Sequence, residues 1–200
     1  MNSTGSDAGR LSMNSFFHLS KSRNGKAIVA SFDERALDTD AFFSPRKPRD
    51  HCGEKPDPRI CVAPHVWQCL ISVYETETPP LFIYRLSCSG AIMPTVDEHN
   101  VDDSAVTHEH WVIDEVIRQN SGVIPVTCMG VLKQVIEYKF RIRDWVREQE
   151  RKLIDPNSLD EREHLWVIDE ATDPMEWRLR LPPEQESEEE SPLVVPPMWP

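Results

Sequence analysis

The stretch Thr107-His108-Glu109-His110-Trp111-Val112-Ile113-Asp114 sets one carboxylate at the mouth of a short apolar run. It reads as the opening of a late β-strand, with Glu109 at a sheet edge where it can face a cleft. Working upstream, Leu81-Phe82-Ile83-Tyr84-Arg85-Leu86 and Phe16-Phe17-His18-Leu19-Ser20 are further strand candidates. Between them Arg59-Ile60-Cys61-Val62-Ala63 predicts a brief strand. Pro64 suits a first helical position, and apolar residues at 66, 67, 70, 71, 73 and 74 share one face of a helix over 65–74. Pro79-Pro80 end that helix before strand 81–86. Downstream, strand 110–114 is followed by 124–132 and 134–142, read as one or two strands with Gly130 at a bulge or bend. The charge pattern of 144–153 suits a solvated helix. The fold class expected is α+β, a small split antiparallel sheet with one or two helices.

The flanks are of another kind. Residues 1–13 are rich in Ser, Asn and Gly and are expected to be disordered. Residues 21–58 read as a long irregular loop, because Ser44-Pro45-Arg46-Lys47-Pro48 and Lys55-Pro56-Asp57-Pro58 forbid regular helix. Loops of such length often act as lids or binding segments. The folded domain is placed at 14–154. A partly docked segment follows at 155–181, and an acidic, proline-rich, disordered tail at 182–200. Within the docked segment Trp166-Val167-Ile168-Asp169-Glu170 repeats Trp111-Val112-Ile113-Asp114-Glu115. The neighbours do not match and no third copy exists, so this is not a repeat architecture.

The 200 residues carry a net charge of −12 and a mean hydropathy of −0.49. From Asp155 onward there are 13 acidic and 3 basic residues, against 21 and 19 before it, so the docked segment and the tail together supply most of the acidity. No basic stripe with interleaved aromatics occurs, and nucleic-acid binding is not expected. Cys52, Cys61, Cys69, Cys88 and Cys128 are odd in number and form no C-x-x-C pair. They predict free thiols in a reducing, cytoplasmic setting. No apolar run is long enough to cross a bilayer.

Several residue types bear on chemistry. A carboxylate such as Glu109 can accept a hydrogen bond from a ribose hydroxyl and stabilise the cation that develops as a glycosidic bond breaks. The plain alternative is a solvated glutamate between two histidines. His18, between Phe17 and Leu19, points to the opposite face of its strand and reads equally as a ligand or as a satisfied histidine. His51, Cys52, Cys61, His65, His108 and His110 are metal-ligand types, but their spacing is not that of a zinc site, and no metal is expected. No G-x-S-x-G elbow, paired nucleophilic cysteine or glycine-rich phosphate loop is present. The acidic loop Asp97-Glu98 to Asp102-Asp103 reads as a solvated face.

With these residues in view, the chain resembles the histidine–tyrosine–glutamate branch of the ADP-ribosyltransferase fold over about residues 14–142. That branch opens a late strand with Glu, as His108-Glu109-His110-Trp111-Val112-Ile113-Asp114 does here, and has an alanine-ended strand, a helix and an apolar strand in the order of 59–63, 65–74 and 81–86. The resemblance implies NAD as substrate, His18 holding a ribose, Glu109 as the catalytic carboxylate, and an aromatic ring stacked on nicotinamide. Tyr74 falls two residues late for that ring; Trp67 on the helix and Tyr84 on the next strand are the other candidates. The serine expected early in the helix is absent. The acceptor implied is a macromolecule or a nucleotide. The segments 45–48 and 59–64 also look like a pattern in small bacterial and phage proteins. Two other readings stand beside the transferase: a non-catalytic interaction protein of phage or mobile-element type, binding a host factor with the tail as its functional part, and an RNA-processing transferase that uses NAD but lacks a basic surface.

Overall fold

The computed structural model describes residues 13–37, 40–47, 58–73, 77–94 and 107–180. The expectations for residues 1–12, 48–57, 97–103 and 182–200, with Cys52 and Tyr74, lie outside the described residues. What is described is an α+β protein with a large mixed sheet and a small antiparallel one. The strands are β1 (Asn14–Ser20), β2 (Ala27–Val29), β3 (Phe42–Phe43), β4 (Ile60–Val62), β5 (Leu81–Cys88), β6 (His110–Val112), β7 (Val123–Leu132), β8 (Trp166–Asp169) and β9 (Glu176–Leu179). The helices are α1 (Val66–Ile71), α2 (Asp114–Gln119), α3 (Ile136–Arg151) and α4 (Glu161–His164).

The large sheet has seven strands, ordered β1-β5-β7-β2-β3, with the β8–β9 hairpin joined to β7 through Val131 and Glu176. β5 is almost continuously apolar because it is covered on both faces: Leu81, Phe82, Ile83, Tyr84, Leu86 and Cys88 are all buried. The small sheet is β4 with β6, Cys61 opposite Trp111. The two sheets meet where Phe17 and Ala63 exchange backbone hydrogen bonds of 2.7 and 3.0 Å. One apolar core lies between α1, α3, β5 and the β8–β9 hairpin; a second lies between β1, β2, β4, β6 and α2.

Four sequence expectations need correction. The span 134–142 is the first half of α3, not a strand. Tyr138, Ile142, Trp145, Val146 and Gln149 are buried at helical spacing, and a window ending at 142 is too short to separate that period from alternation. Residues 21–58 hold β2, β3 and a 3-10 turn at Glu34–Leu37; Ala27, Ile28 and Val29 are all buried, but three residues are too few to announce a period. The strand at 110–114 stops at Val112, and α2 starts at Asp114. Finally, 155–180 belongs to the main core. Leu165, Trp166 and Trp177 are at most 1% exposed, and Trp166 and Trp177 meet edge to face at 5.8 Å.

Gly130 occupies a bulge, as its position suggested: Ile83 pairs with Gly130 but Tyr84 with Cys128, leaving Met129 unpaired in the ladder. The freed Met129 carbonyl accepts Trp177 Nε1–H at 3.0 Å. Gly130 has φ +149°, and a Cβ there would fall 2.4 Å from the Met175 carbonyl oxygen and 2.6 Å from the Trp177 ring. Gly130→Ala is therefore expected to destabilise the protein by about 1–3 kcal/mol. A denaturant midpoint equal to that of the parent would show that the β7–β9 packing yields without cost.

Among the described residues no helix is long and apolar enough to cross a membrane, and Cys61, Cys69, Cys88 and Cys128 are free thiols.

Candidate functional site

The site lies where the two sheets part. Continuing the antiparallel register from Phe17–Ala63 would pair Leu19 with Cys61, but no further pair follows. The His18 ring reaches across instead, and its Nδ1 lies 3.0 Å from the Cys61 carbonyl oxygen. A carbonyl only accepts, so Nδ1 carries the proton. Burial holds the imidazole below its usual range, with the Cys61 carbonyl opposing that shift more weakly. The ring is thus neutral at pH 7, and its Nε2 is an acceptor for a hydroxyl.

The gap between β1 and β4 is a cavity of about 170 Å³. His18 and Leu19 form one side, Cys61 and Ala63 another with Glu109 beside Cys61, and Cys69, Ser72 and Val73 at the end of α1 a third. Glu109 Oε1 accepts Trp111 Nε1–H at 2.6 Å, and the Trp111 ring lies under the Arg59 guanidinium at 4.0 Å. Next to Glu109, His108 has φ +44°, a left-handed conformation held from both ends. Its carbonyl accepts His110 Nδ1–H at 2.7 Å, and its Nε2 accepts Asn157 Nδ2–H at 3.2 Å. Asn157 Oδ1 in turn accepts Gln68 Nε2–H at 2.6 Å, which ties the Glu109 segment to α1.

The other wall is fixed by a carboxylate from far along the chain. Buried Glu161 accepts the Val66 and Trp67 backbone N–H groups at 3.1 and 3.3 Å and Trp166 Nε1–H at 3.1 Å. It thereby satisfies the first turn of α1. Burial pushes its carboxyl above the usual range, and these donors pull it part of the way back. At the other end of α1, Lys139 Nζ donates to the Val73 carbonyl.

Both cysteines of the cavity are protonated thiols. Cys61 has accessible surface because it faces the cavity, yet its close surroundings push the thiol well above the usual range, and the Glu109 carboxylate adds to this. Burial does the same for Cys69. Neither is an activated nucleophile. His108 and His110 each use a ring nitrogen within the protein. No group of three or more histidine, cysteine or carboxylate side chains among the described residues is placed to hold an ion.

Of the side chains singled out in the sequence, His18 and Glu109 face one cavity and two others do not. Trp67 is 1% exposed and packs edge-on against Trp145 at 6.2 Å, in the core between α1 and α3. Tyr84 is fully buried; its hydroxyl donates to the Ser22 carbonyl at 2.7 Å and accepts Gly25 N–H at 3.0 Å. Tyr74 follows Val73, which lines the cavity, and is outside the described residues. An aromatic ring that the sequence did not flag stands beside His18: Phe43, edge-on to His18 at 5.4 Å and to Tyr84 at 5.0 Å. Its setting among prolines and charges gave no sign of it. Asn157 and Glu161 were also missed, since no local pattern marks a polar residue whose partner is distant in sequence.

No protein-family model, curated protein or solved structure matches this chain.

A pH dependence follows from the histidines. His18, His65 and His110 all lie below the ordinary 6.5, burial being the first cause in each. The unfolded chain therefore takes up protons first, so the stability they contribute is present above pH 6.5 and is lost as pH falls below it. Glu161, shifted upward, acts in the opposite sense as pH rises from 4.5. Replacing His18 by Gln is expected to flatten the fall in melting temperature as pH drops below 6.5 without removing it, because His65 and His110 remain. Superimposable parent and variant profiles would show that His18 does not titrate in that range.

Proposed function

We propose that this chain is a cytoplasmic, NAD-consuming ADP-ribosyltransferase-like protein. The observation that carries the reading is that His18 and Glu109, distant in sequence, line the same cavity. His18 offers an acceptor nitrogen to a ribose hydroxyl, and Glu109 offers a carboxylate to the 2′-hydroxyl beside the scissile bond. In the reaction the C1′–N bond to nicotinamide breaks and its electron pair neutralises the pyridinium nitrogen. The cation left on the ribose faces Glu109, where a fixed negative charge lowers the barrier. An acceptor group of a macromolecule or nucleotide then bonds to C1′ and gives up its proton.

A second reading, a non-catalytic interaction protein of phage or mobile-element type, is favoured by one observation. Trp67 and Tyr84, two of the three rings considered for nicotinamide, are turned away from the cavity. The deciding experiment is nicotinamide release from NAD by the full chain, with and without cell extract as a source of acceptor. Release that depends on Glu109 supports the transferase. No release, together with no NAD-dependent rise in melting temperature, leaves the interaction protein.

A further inference from the structure

A second cavity, of about 320 Å³, lies at the end of α3 and shares no lining residue with the first. Trp67, Val146 and Pro156 are its buried lining, and Leu153 and Ile154 its exposed lining. Two features of these residues are unanswered among the described residues. The Trp67 indole N–H is buried and has no acceptor there, which costs free energy until a carbonyl or similar group meets it. Leu153 is 94% exposed and has φ +58°. Its N–H and that of Ile154 close α3 on the Glu150 and Gln149 carbonyls at 3.0 and 2.9 Å. In such a helix ending the left-handed position usually belongs to glycine or asparagine. A leucine there is disfavoured by its backbone and gains no burial in return. It is placed for a contact that the described residues do not supply.

We infer that this cavity holds the apolar stretch Pro192-Leu193-Val194-Val195-Pro196-Pro197-Met198-Trp199 of the same chain, with the Trp199 ring as its anchor. It is the one sustained apolar run outside the described residues. Its prolines lack an N–H, so its carbonyls outnumber its donors, and one can meet the Trp67 N–H. It has no charged side chain, so Glu150 and Asp155 at the cavity do not oppose it. A tryptophan entering an apolar pocket is the commonest kind of dominant contact in a docked segment. The chain is also long enough. Arg180 N–H is bonded to the Leu165 carbonyl at 2.7 Å, and Leu165 packs in one core with Trp67 and Val146. The residues from Arg180 to Trp199 can span up to about 60 Å when extended. One wall of the cavity is Asn157, through which the Glu109 segment is tied to α1. The docked stretch therefore abuts the support of the candidate site. The inference does not depend on the transferase reading.

The test is nuclear magnetic resonance of the six indole N–H groups of the full chain, for the parent, Trp199→Ala and Leu153→Asn. Asparagine tolerates the left-handed backbone and removes the apolar contact without adding charge. The signal missing from Trp199→Ala is that of Trp199. Its exchange with solvent is expected to be at least tenfold slower in the parent than in Leu153→Asn. The Trp67 signal, assigned through its contact with Trp145, is expected to shift in both variants. Neither substitution alters the buried core, which parallel melting curves check. A parent Trp199 signal that exchanges as fast as free tryptophan overturns the inference. So does protection of Trp199 that survives Leu153→Asn, since the stretch would then be held elsewhere. A parent that sediments as a dimer, with Trp199→Ala a monomer, overturns the occupant and gives the cavity to the same stretch of a second copy.

Discussion

A chain ending at Ile154 is expected to lose its fold, although 155–200 carries a net charge of −10 and looks in sequence like an appendage. The truncation removes Leu165, Trp166 and Trp177 from the interior, the Trp177 hydrogen bond to Met129, and the Glu161 carboxylate from the start of α1. Loss of one buried aromatic side chain costs roughly 3–5 kcal/mol, and a domain of ordinary stability has about 5–15 kcal/mol in all. Two tryptophans, a leucine and a buried helix cap together consume most or all of that reserve. Circular dichroism of the truncated chain should show no cooperative thermal transition where the full chain has one. A sharp transition near that of the full chain would mean that the core closes without the β8–β9 hairpin.

Glu109→Gln is expected to reduce nicotinamide release from NAD by a hundredfold or more, while the melting temperature stays nearly in place. A hundredfold corresponds to about 2.7 kcal/mol of transition-state stabilisation, the lower end of what a preorganised electrostatic group contributes. The substituted side chain keeps its length, and its amide oxygen can still accept Trp111 Nε1–H, so the bond seen at 2.6 Å is not what the substitution removes. What it removes is the negative charge. The chemical rate is therefore expected to fall with little change in NAD affinity. A variant that releases nicotinamide as fast as the parent would take Glu109 out of the reaction.

The sequence exposed the parts of the molecule in which a residue's partner in structure is also its neighbour in pattern. The apolar run of β5, the brief β4 and the helix after Pro64 were legible from periodicity, and with them the α+β class. His18 and Glu109 were legible as candidates because each is a polar residue at or beside a short apolar strand segment. β2 and β3 were not, since Ala27–Val29 and Phe42–Phe43 are too short to show a period and lie among Lys, Ser and Pro. α3 was split because its first residues, Ile136 to Ile142, mix apolar and polar residues in a way that also fits a strand; the period becomes plain only with Trp145 and Val146. The chain of contacts from Gln68 through Asn157 to His108 had no signal at all. Hydrogen bonds between ordinary polar residues leave no trace in composition.

The Glu161 cap on α1 has a consequence for the order in which the protein is made. Synthesis proceeds from the N-terminus, and domains begin to fold as they emerge. His18, Glu109 and the whole of α1 leave the ribosome well before Glu161, yet the first-turn N–H groups of that helix are answered by a carboxylate 95 residues further on. Contacts of such long range form late, because the loop must close before they give anything back. The wall bearing Cys69, Ser72 and Val73 is therefore the last part of the cavity to set. A nascent chain that already carries His18 and Glu109 has the side chains of the site without its shape.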